Sequence, residues 1–289
     1  MALSVVDLDE LEKRLNAWRD QGLSIGFVPT MGGLHEGHCS LMRQAKGLCD
    51  RLVVSIFVNP IQFAPHEDLK KYPRDAQGDH DKSVAAGADL VWLAQHHDIY
   101  PPNWSTTIVP QGVGLGLETD HRPHFFTGVA TVVARLLSLI RPQVAIFGKK
   151  DYQQLLVVRQ LNDDLCLGVE IVGGPLIRDR DGLALSSRNV YLNSAAREQA
   201  LTVPKALQLI CQAYADGERN ASALAAHGES LLTQEELIID YCRIVSSTDL
   251  KAPTQLLDDS PQSWRALIAA RCHGIRLLDN CALDDPPWR

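Results

Sequence analysis

Apolar positions along the chain fall into two alternating patterns. Short, mainly apolar runs occupy residues 23–28, 51–58, 89–93, 144–147 and 169–172. Such runs mark strands covered on both faces, as in parallel sheets. Between them, apolar residues recur every three or four positions, as at Leu8, Leu11, Leu15 and Trp18, or at Val129, Val132, Val133, Leu136, Leu137 and Ile140. That spacing predicts helices with one buried face. Shorter versions include Leu41 and Met42, then Tyr152, Leu155, Leu156 and Leu161, and residues 75–86 read as a further helix. Local punctuation agrees. Asp7-Leu8-Asp9-Glu10 has the form of a capping box, Asn59-Pro60 closes the second strand, and Pro142 stops the long helix.

The alternation continues to about residue 175, apart from residues 96–126, which are irregular and rich in Pro, Gly and His. It predicts an α/β fold: a doubly wound parallel sheet with right-handed crossovers. Beyond it the pattern changes. Residues 194–238 read as helices broken at Pro204, and residues 241–245 and 275–278 as short strands. The expected organisation is a Rossmann-like domain over residues 1–176 and a smaller C-terminal α+β domain over residues 177–289.

Composition narrows the function. The net charge is −7 and Lys and Arg form no cluster, which argues against a nucleic-acid surface. The seven cysteines are odd in number and lack a CxxC pair, so free thiols are expected rather than a disulfide scaffold or zinc site. The first residues lack the basic-then-apolar form of a signal peptide, and no run is long enough to span a bilayer. A soluble cytoplasmic protein without membrane partners is expected.

Three stretches carry candidate chemistry. His35-Glu36-Gly37-His38 follows the first strand and opens a helix, where backbone N–H groups and the helix dipole favour anions. Two imidazoles three residues apart can face one way there and donate to phosphate oxygens. The blander reading is a pair of surface histidines at a helix cap. Gly148-Lys149-Lys150-Asp151-Tyr152-Gln153-Gln154 follows another strand, where a lysine can serve a polyphosphate and Asp151 a ribose hydroxyl. Equally, Asp151 could be an ordinary acid at a solvated helix start. Gly182-Leu183-Ala184-Leu185-Ser186-Ser187-Arg188-Asn189 offers two hydroxyls and a guanidinium suited to phosphate. It follows an exposed turn, 178–182, that would let it move, but also reads as a polar loop before a helix capped near Asn193 or Ser194.

With these stretches in place, the chain resembles the pantoate–β-alanine ligases, within the HIGH-motif nucleotidyltransferase superfamily. Six blocks in order carry the resemblance: PTMGGLHEGH, VSIFVNPIQF, KYPRD, GVATVV, FGKKDYQQL and DGLALSSRN. It runs from Pro29 to Leu192 and weakens beyond. The resemblance implies a two-step reaction. Pantoate is adenylated by ATP with release of pyrophosphate, and β-alanine then displaces AMP. It implies catalytic roles for His35, His38, Lys150 and Arg188, and an ATP site that also includes Met31, Gly37, Gly148, Asp151, Ser186 and Ser187. Ser186, Ser187 and Arg188 correspond to the superfamily's KMSKS loop. Gln62 and Gln154 would hold pantoate, Asp79 would lie near the metal, Mg²⁺ would accompany ATP, and the chain would form a homodimer.

One block departs from the family pattern. Many members read Arg-Pro-Gly-His-Phe where this chain reads Arg122-Pro123-His124-Phe125-Phe126. Phe125 stands at the histidine position, so no role transfers to His124, while Arg122 is read as an anion contact.

Elementary chemistry agrees with the implied reaction. A carboxylate is ionised at neutral pH and needs no base to attack phosphorus. The chain accordingly offers no Ser-His-Asp or Cys-His arrangement to defend. Cationic groups around the transferring phosphoryl are what adenylation requires. Other readings are a different HIGH-type adenylyltransferase and a non-catalytic nucleotide-binding protein. The glutamine pair argues against the first, and the presence of His35, Lys150 and Arg188 against the second.

Overall fold

The computed structural model describes residues 3–5, 7–65, 67–256 and 264–285. The chain divides into two compact units: residues 1–149 with 153–175, and residues 150–152 with 176–289.

The first unit is built on a six-stranded, wholly parallel sheet. Its elements, in chain order, are β1 (Leu3–Val5), α1 (Leu8–Asp20), β2 (Ile25–Thr30), α2 (Glu36–Lys46), β3 (Arg51–Ile56), α3 (Ala76–Ala85), β4 (Leu90–Leu93), α4 (His96–Ile99), α5 (Glu118–His121), α6 (Phe125–Ile140), β5 (Val144–Gly148), α7 (Tyr152–Asp164) and β6 (Glu170–Gly174). The spatial order is β1-β4-β3-β2-β5-β6. The direction of winding therefore reverses between β2 and β5, the kind of position where doubly wound sheets bind ligands at the carboxyl ends of their strands. The histidine turn leaves the end of β2, and the stretch opening with Gly148-Lys149 leaves the end of β5.

Burial explains the apolar runs. Phe27, Val53, Leu90, Trp92 and Ala145 face a core completed by Leu11 and Leu15 of α1 and by Val129, Val133 and Leu137 of α6. The alternate residues Val28, Val54, Val91 and Ile146 face a second core with Leu41, Met42 and Ala45 of α2. Helices thus cover both faces, as the sequence predicts. Asp7 caps α1 by accepting from the Glu10 N–H at 2.8 Å, and Asp75 caps α3 at the Gly78 N–H. The short edge strand β1 was not foreseen. It has too few residues to show a period, and its pairing with β4 comes from across the fold.

The second unit contains α8 (Ser194–Ala200), α9 (Thr202–Ala215) and α10 (Ala221–Gln234), followed by β7 (Ile238–Ser246), β8 (Trp264–Cys272) and β9 (Ile275–Ala282). The strands form an antiparallel sheet with β8 in the centre. Two expectations need correction. The helical stretch breaks at Leu201 rather than at Pro204, which occupies the first turn of α9. A missing N–H there has no intrahelical partner to lose. A further break follows Ala215, where Gly217 takes φ +104° and Asn220 caps α10. β8 itself was missed: Ala266, Ala269 and Ala270 give it low strand propensity, overridden by burial between two neighbours. All seven cysteines are free. Among the described residues, no helix is long and apolar enough to cross a membrane.

Candidate active site

The first element of the site is the turn between β2 and α2. Gly32 and Gly33 take φ +80° and +62°, a region that side chains rarely enter. A Cβ on Gly32 would lie 2.8 Å from the Asp79 carboxylate. That carboxylate is 1% exposed. Its two oxygens accept from the Gly33 and Leu34 N–H groups at 2.8 and 2.7 Å. One turn further along α3, Lys82 donates to the Leu34 carbonyl at 2.9 Å. Helix α3 thus clamps the loop that delivers His35. Asp79, expected beside a metal, has both oxygens committed to this clamp. Among the described residues no group of three or more His, Cys, Asp or Glu is able to hold a metal ion.

Helix α2 begins at Glu36, with His35 as its N-cap. The His35 Nδ1 accepts from the Gly37 N–H at 3.1 Å, and the His38 Nδ1 accepts from the His35 N–H at 3.3 Å. The ring centroids lie 4.2 Å apart. Each Nδ1 must offer a lone pair to its backbone donor, so each Nε2 carries the proton. The pair therefore consists of two neutral imidazoles held in one tautomer at the positive end of an 11-residue helix. Met31 is half-buried just before the glycines, and Gly37 lies between the two histidines in sequence.

Gln62 closes a short 3-10 turn, Pro60–Gln62, capped by Asn59. Besides this cap, in which it accepts from the Ile61 N–H, Asn59 donates to the Gly128 carbonyl at 3.1 Å and accepts from Tyr100 at 2.9 Å. Burial pushes the Tyr100 hydroxyl up to about 12, against the effect of this bond, so it remains a donor. Gly128 of α6 matters here because a Cβ would meet the Ile61 carbonyl at 2.9 Å and the Gln62 nitrogen at 3.0 Å. Gln62 is 9% exposed, and its side-chain amide has no hydrogen-bond partner among the described residues. The same holds for Gln154. Its neighbour Gln153 differs: it accepts from the Glu118 N–H and donates to the Val113 and Gly116 carbonyls. Consecutive helical residues point about 100° apart, so one glutamine is spent on structure while the next keeps its amide available.

Arg122 is not an open anion contact. It forms a bidentate pair with Glu67 at 2.6 and 2.8 Å, lies 3.7 Å from Glu118, and stacks 3.9 Å above the Phe125 ring. Phe125 is thus the platform for this ion pair, while His124 is exposed and caps α6 only through its backbone.

The remaining predicted residues, apart from Gly148 at the end of β5, belong to the second unit. The Lys150 ammonium lies 3.4 Å from Asp151. Ser186 caps the 3-10 turn Ser187–Tyr191, its hydroxyl accepting from the Arg188 N–H at 3.3 Å. The preceding residues were expected to form a movable turn. They form a hairpin, with Asp179 N–H donating to Leu183 O and Leu185 N–H to Ile177 O. Arg197 braces it through Asp179 and Asp181 at 2.6 and 2.7 Å. Not foreseen from the sequence were the groups that hold these candidate residues: Asn59, Asp79 as a clamp, and Gln153.

Comparison with known proteins decides between the readings. The family model for pantoate-β-alanine ligase matches residues 4–282. The chain belongs to the pantoate–β-alanine ligase family. The ligase is 47% identical to the pantothenate synthetase of a Bradyrhizobium species over 277 residues, 96% of each chain. It is also 47% identical to that of Deinococcus radiodurans, over 91% of this chain and 95% of that one. Among solved structures, the pantothenate synthetase of Thermus thermophilus superposes with a TM-score of 0.91 at 39% identity, covering 98% of this chain and 99% of that one. The pantoate-β-alanine ligase of Francisella tularensis, crystallised with β,γ-ATP and β-alanine, gives 0.81 at 30% identity over the whole of both chains. A full-length match of this kind leaves no ground for the other adenylyltransferase reading.

Proposed function

We propose that this ligase joins pantoate to β-alanine at the expense of ATP. A pantoate carboxylate oxygen attacks the α-phosphorus, the bond to pyrophosphate breaks, and pantoyl adenylate forms. The uncharged amine of β-alanine then attacks the acyl carbon, forming the amide as AMP leaves. Support comes from the family match over residues 4–282 and from the relative crystallised with β,γ-ATP and β-alanine.

The observation that carries the reading is the pair of tautomer-locked imidazoles at the start of α2. Protons on Nε2 suit donation to phosphate oxygens, and backbone capping pre-sets the rings before substrate arrives. In this reading His35 and His38 serve the phosphates of ATP, with Met31, Gly37 and Gly148 lining its site. Lys150, Ser186, Ser187 and Arg188 contact the phosphates, and Asp151 the ribose. Gln62 and Gln154, whose amides are unspent, hold pantoate by donating to its carboxylate and accepting from a hydroxyl. Among the described residues the donor set offers no resident metal cage. Magnesium enters only as the counter-ion of ATP, and no step is routed through it.

The same proposal gives residues 1–176 the binding of ATP and pantoate and residues 177–289 the role of a lid, in a cytoplasmic homodimer. The test is pyrophosphate–ATP exchange with pantoate present and β-alanine omitted. Pantoate-dependent exchange is expected. Exchange that ignores pantoate but responds to another acid would overturn the substrate assignment.

A further inference from the structure

The second unit contains a device that nothing in the reaction scheme assigns. Asp279 and Asn280 are consecutive residues of the edge strand β9, each 4% exposed. Consecutive strand residues point to opposite faces, and these two reach different segments. Asp279 makes a bidentate pair with Arg178 at 2.6 and 2.8 Å, and Arg178 also donates to the Gly182 carbonyl. This anchors the hairpin that leads directly into Ser186–Arg188. Asn280 donates from Nδ2 to the Lys150 carbonyl at 2.9 Å.

The orientation of the Asn280 amide is set by its other end. Its Oδ1 accepts from both the Nε and the Nη2 of Arg265 on β8, at 3.2 and 2.8 Å. Arg265 has no acceptor to offer, so the amide nitrogen must be the end that faces Lys150. The Arg265 guanidinium in turn lies 4.2 Å above the Tyr152 ring, and the Tyr152 hydroxyl donates to the Ser247 carbonyl at 2.9 Å. Lys150 and Tyr152, either side of Asp151, are thus held by groups on β8 and β9 and at the end of β7.

We propose that Asn280 is a positioning residue for adenylation, holding the backbone of Lys150 in the same frame as the Ser186–Arg188 turn that Asp279 secures through Arg178. The inference rests on the proposed reading of Lys150 and Arg188 as phosphate contacts. An ammonium on a four-carbon stem reaches a defined place only if its backbone is held, and small misplacements of catalytic groups cost rate steeply.

The test compares Asn280→Asp, Lys150→Ala and the double variant. Asn280→Asp keeps an acceptor for Arg265 and the side-chain shape but cannot donate to the Lys150 carbonyl. Amide hydrogen exchange across residues 148–154 reads the hold itself, and pantoate-dependent pyrophosphate exchange reads its consequence. Expected for Asn280→Asp are faster exchange in that segment and a roughly tenfold loss of kcat/KM for ATP, with the KM for pantoate unchanged. Added to Lys150→Ala, the substitution should cost nothing further. Unchanged amide exchange, or the same fold-loss in both backgrounds, overturns the proposal. Wild-type ATP parameters in Lys150→Ala instead overturn the ATP role of Lys150, and the catalytic consequence of Asn280 falls with it. If Asn280→Asp does not fold, Arg265→Lys serves as the second variant. It frees the amide to turn and removes the planar contact on Tyr152, so faster exchange over 148–154 is expected and its absence refutes the hold.

Discussion

Asp79→Asn isolates the clamp on the histidine turn. The substitution keeps shape and volume but leaves one oxygen where the carboxylate had two. One of the amides at Gly33 or Leu34, accepted at 2.8 and 2.7 Å, then faces an NH₂ group and loses its acceptor. The other keeps a bond that is no longer charge-assisted. A hydrogen bond to a charged group contributes about 1.5–3 kcal/mol, and a buried donor left unsatisfied costs about 1–3 kcal/mol. Relief of the carboxylate's own desolvation offsets part of this. The net destabilisation is then about 2–4 kcal/mol, or roughly 4–10 °C in Tm for a chain of this size. Thermal and urea unfolding would measure it, with the KM for ATP as the functional readout, since the loosened turn carries His35. Stability within about 0.5 kcal/mol of wild type, the range of an ordinary surface change, together with an unaltered KM, would refute the clamp.

Three further outcomes follow from the structure. His38→Ala should abolish most pantoate-dependent pyrophosphate exchange while lowering stability by no more than about 1 kcal/mol, the worth of one capping bond; wild-type turnover would remove this imidazole from the mechanism. Gln62→Ala and Gln153→Ala should separate binding from stability. The first raises the KM for pantoate at little cost in Tm, whereas the second strands the Val113 and Gly116 carbonyls and the Glu118 N–H and lowers stability by about 2 kcal/mol or more. Equal Tm losses would show the two glutamines to be equivalent. Burial alone would raise the Asp240 carboxyl, but its bonds to Arg276 and Arg271 outweigh this and hold it below its ordinary value of 3.8. A depressed folded value means that the stabilisation is complete above the unfolded value and is lost as pH falls through the folded one. Acid titration of stability should therefore lose a component below about pH 4 that is absent in Asp240→Asn; identical acid limbs would show that the ion pair contributes nothing.

Much of this molecule is written locally. The parallel sheet was legible because strands buried on both faces produce apolar runs, and the helices because a buried stripe recurs every three to four residues. Caps at Asp7 and Asn193 were legible for the same reason: donor and acceptor lie within three residues of one another. The histidine pair belongs to this class too, since its two Nδ1 bonds span only two and three residues.

What the sequence alone could not decide lies in contacts between distant segments. Asp79 meets Leu34 across 45 residues, Arg122 meets Glu67 across 55, and Asn280 meets Lys150 across 130. No periodicity links such pairs, so Asp79 reads as a metal ligand and Arg122 as an anion contact until folding supplies their partners. Strand β8 was hidden for a related reason, because its alanines become a strand only between β7 and β9. The sequence by itself determined most of the order of elements, with β1 and β8 the exceptions, and singled out the turns that open α2 and α7, since hydrogen bonding and side-chain period act over a few residues. The tertiary structure decided which polar groups are spent on holding those turns, because that depends on partners brought together only by burial of the core.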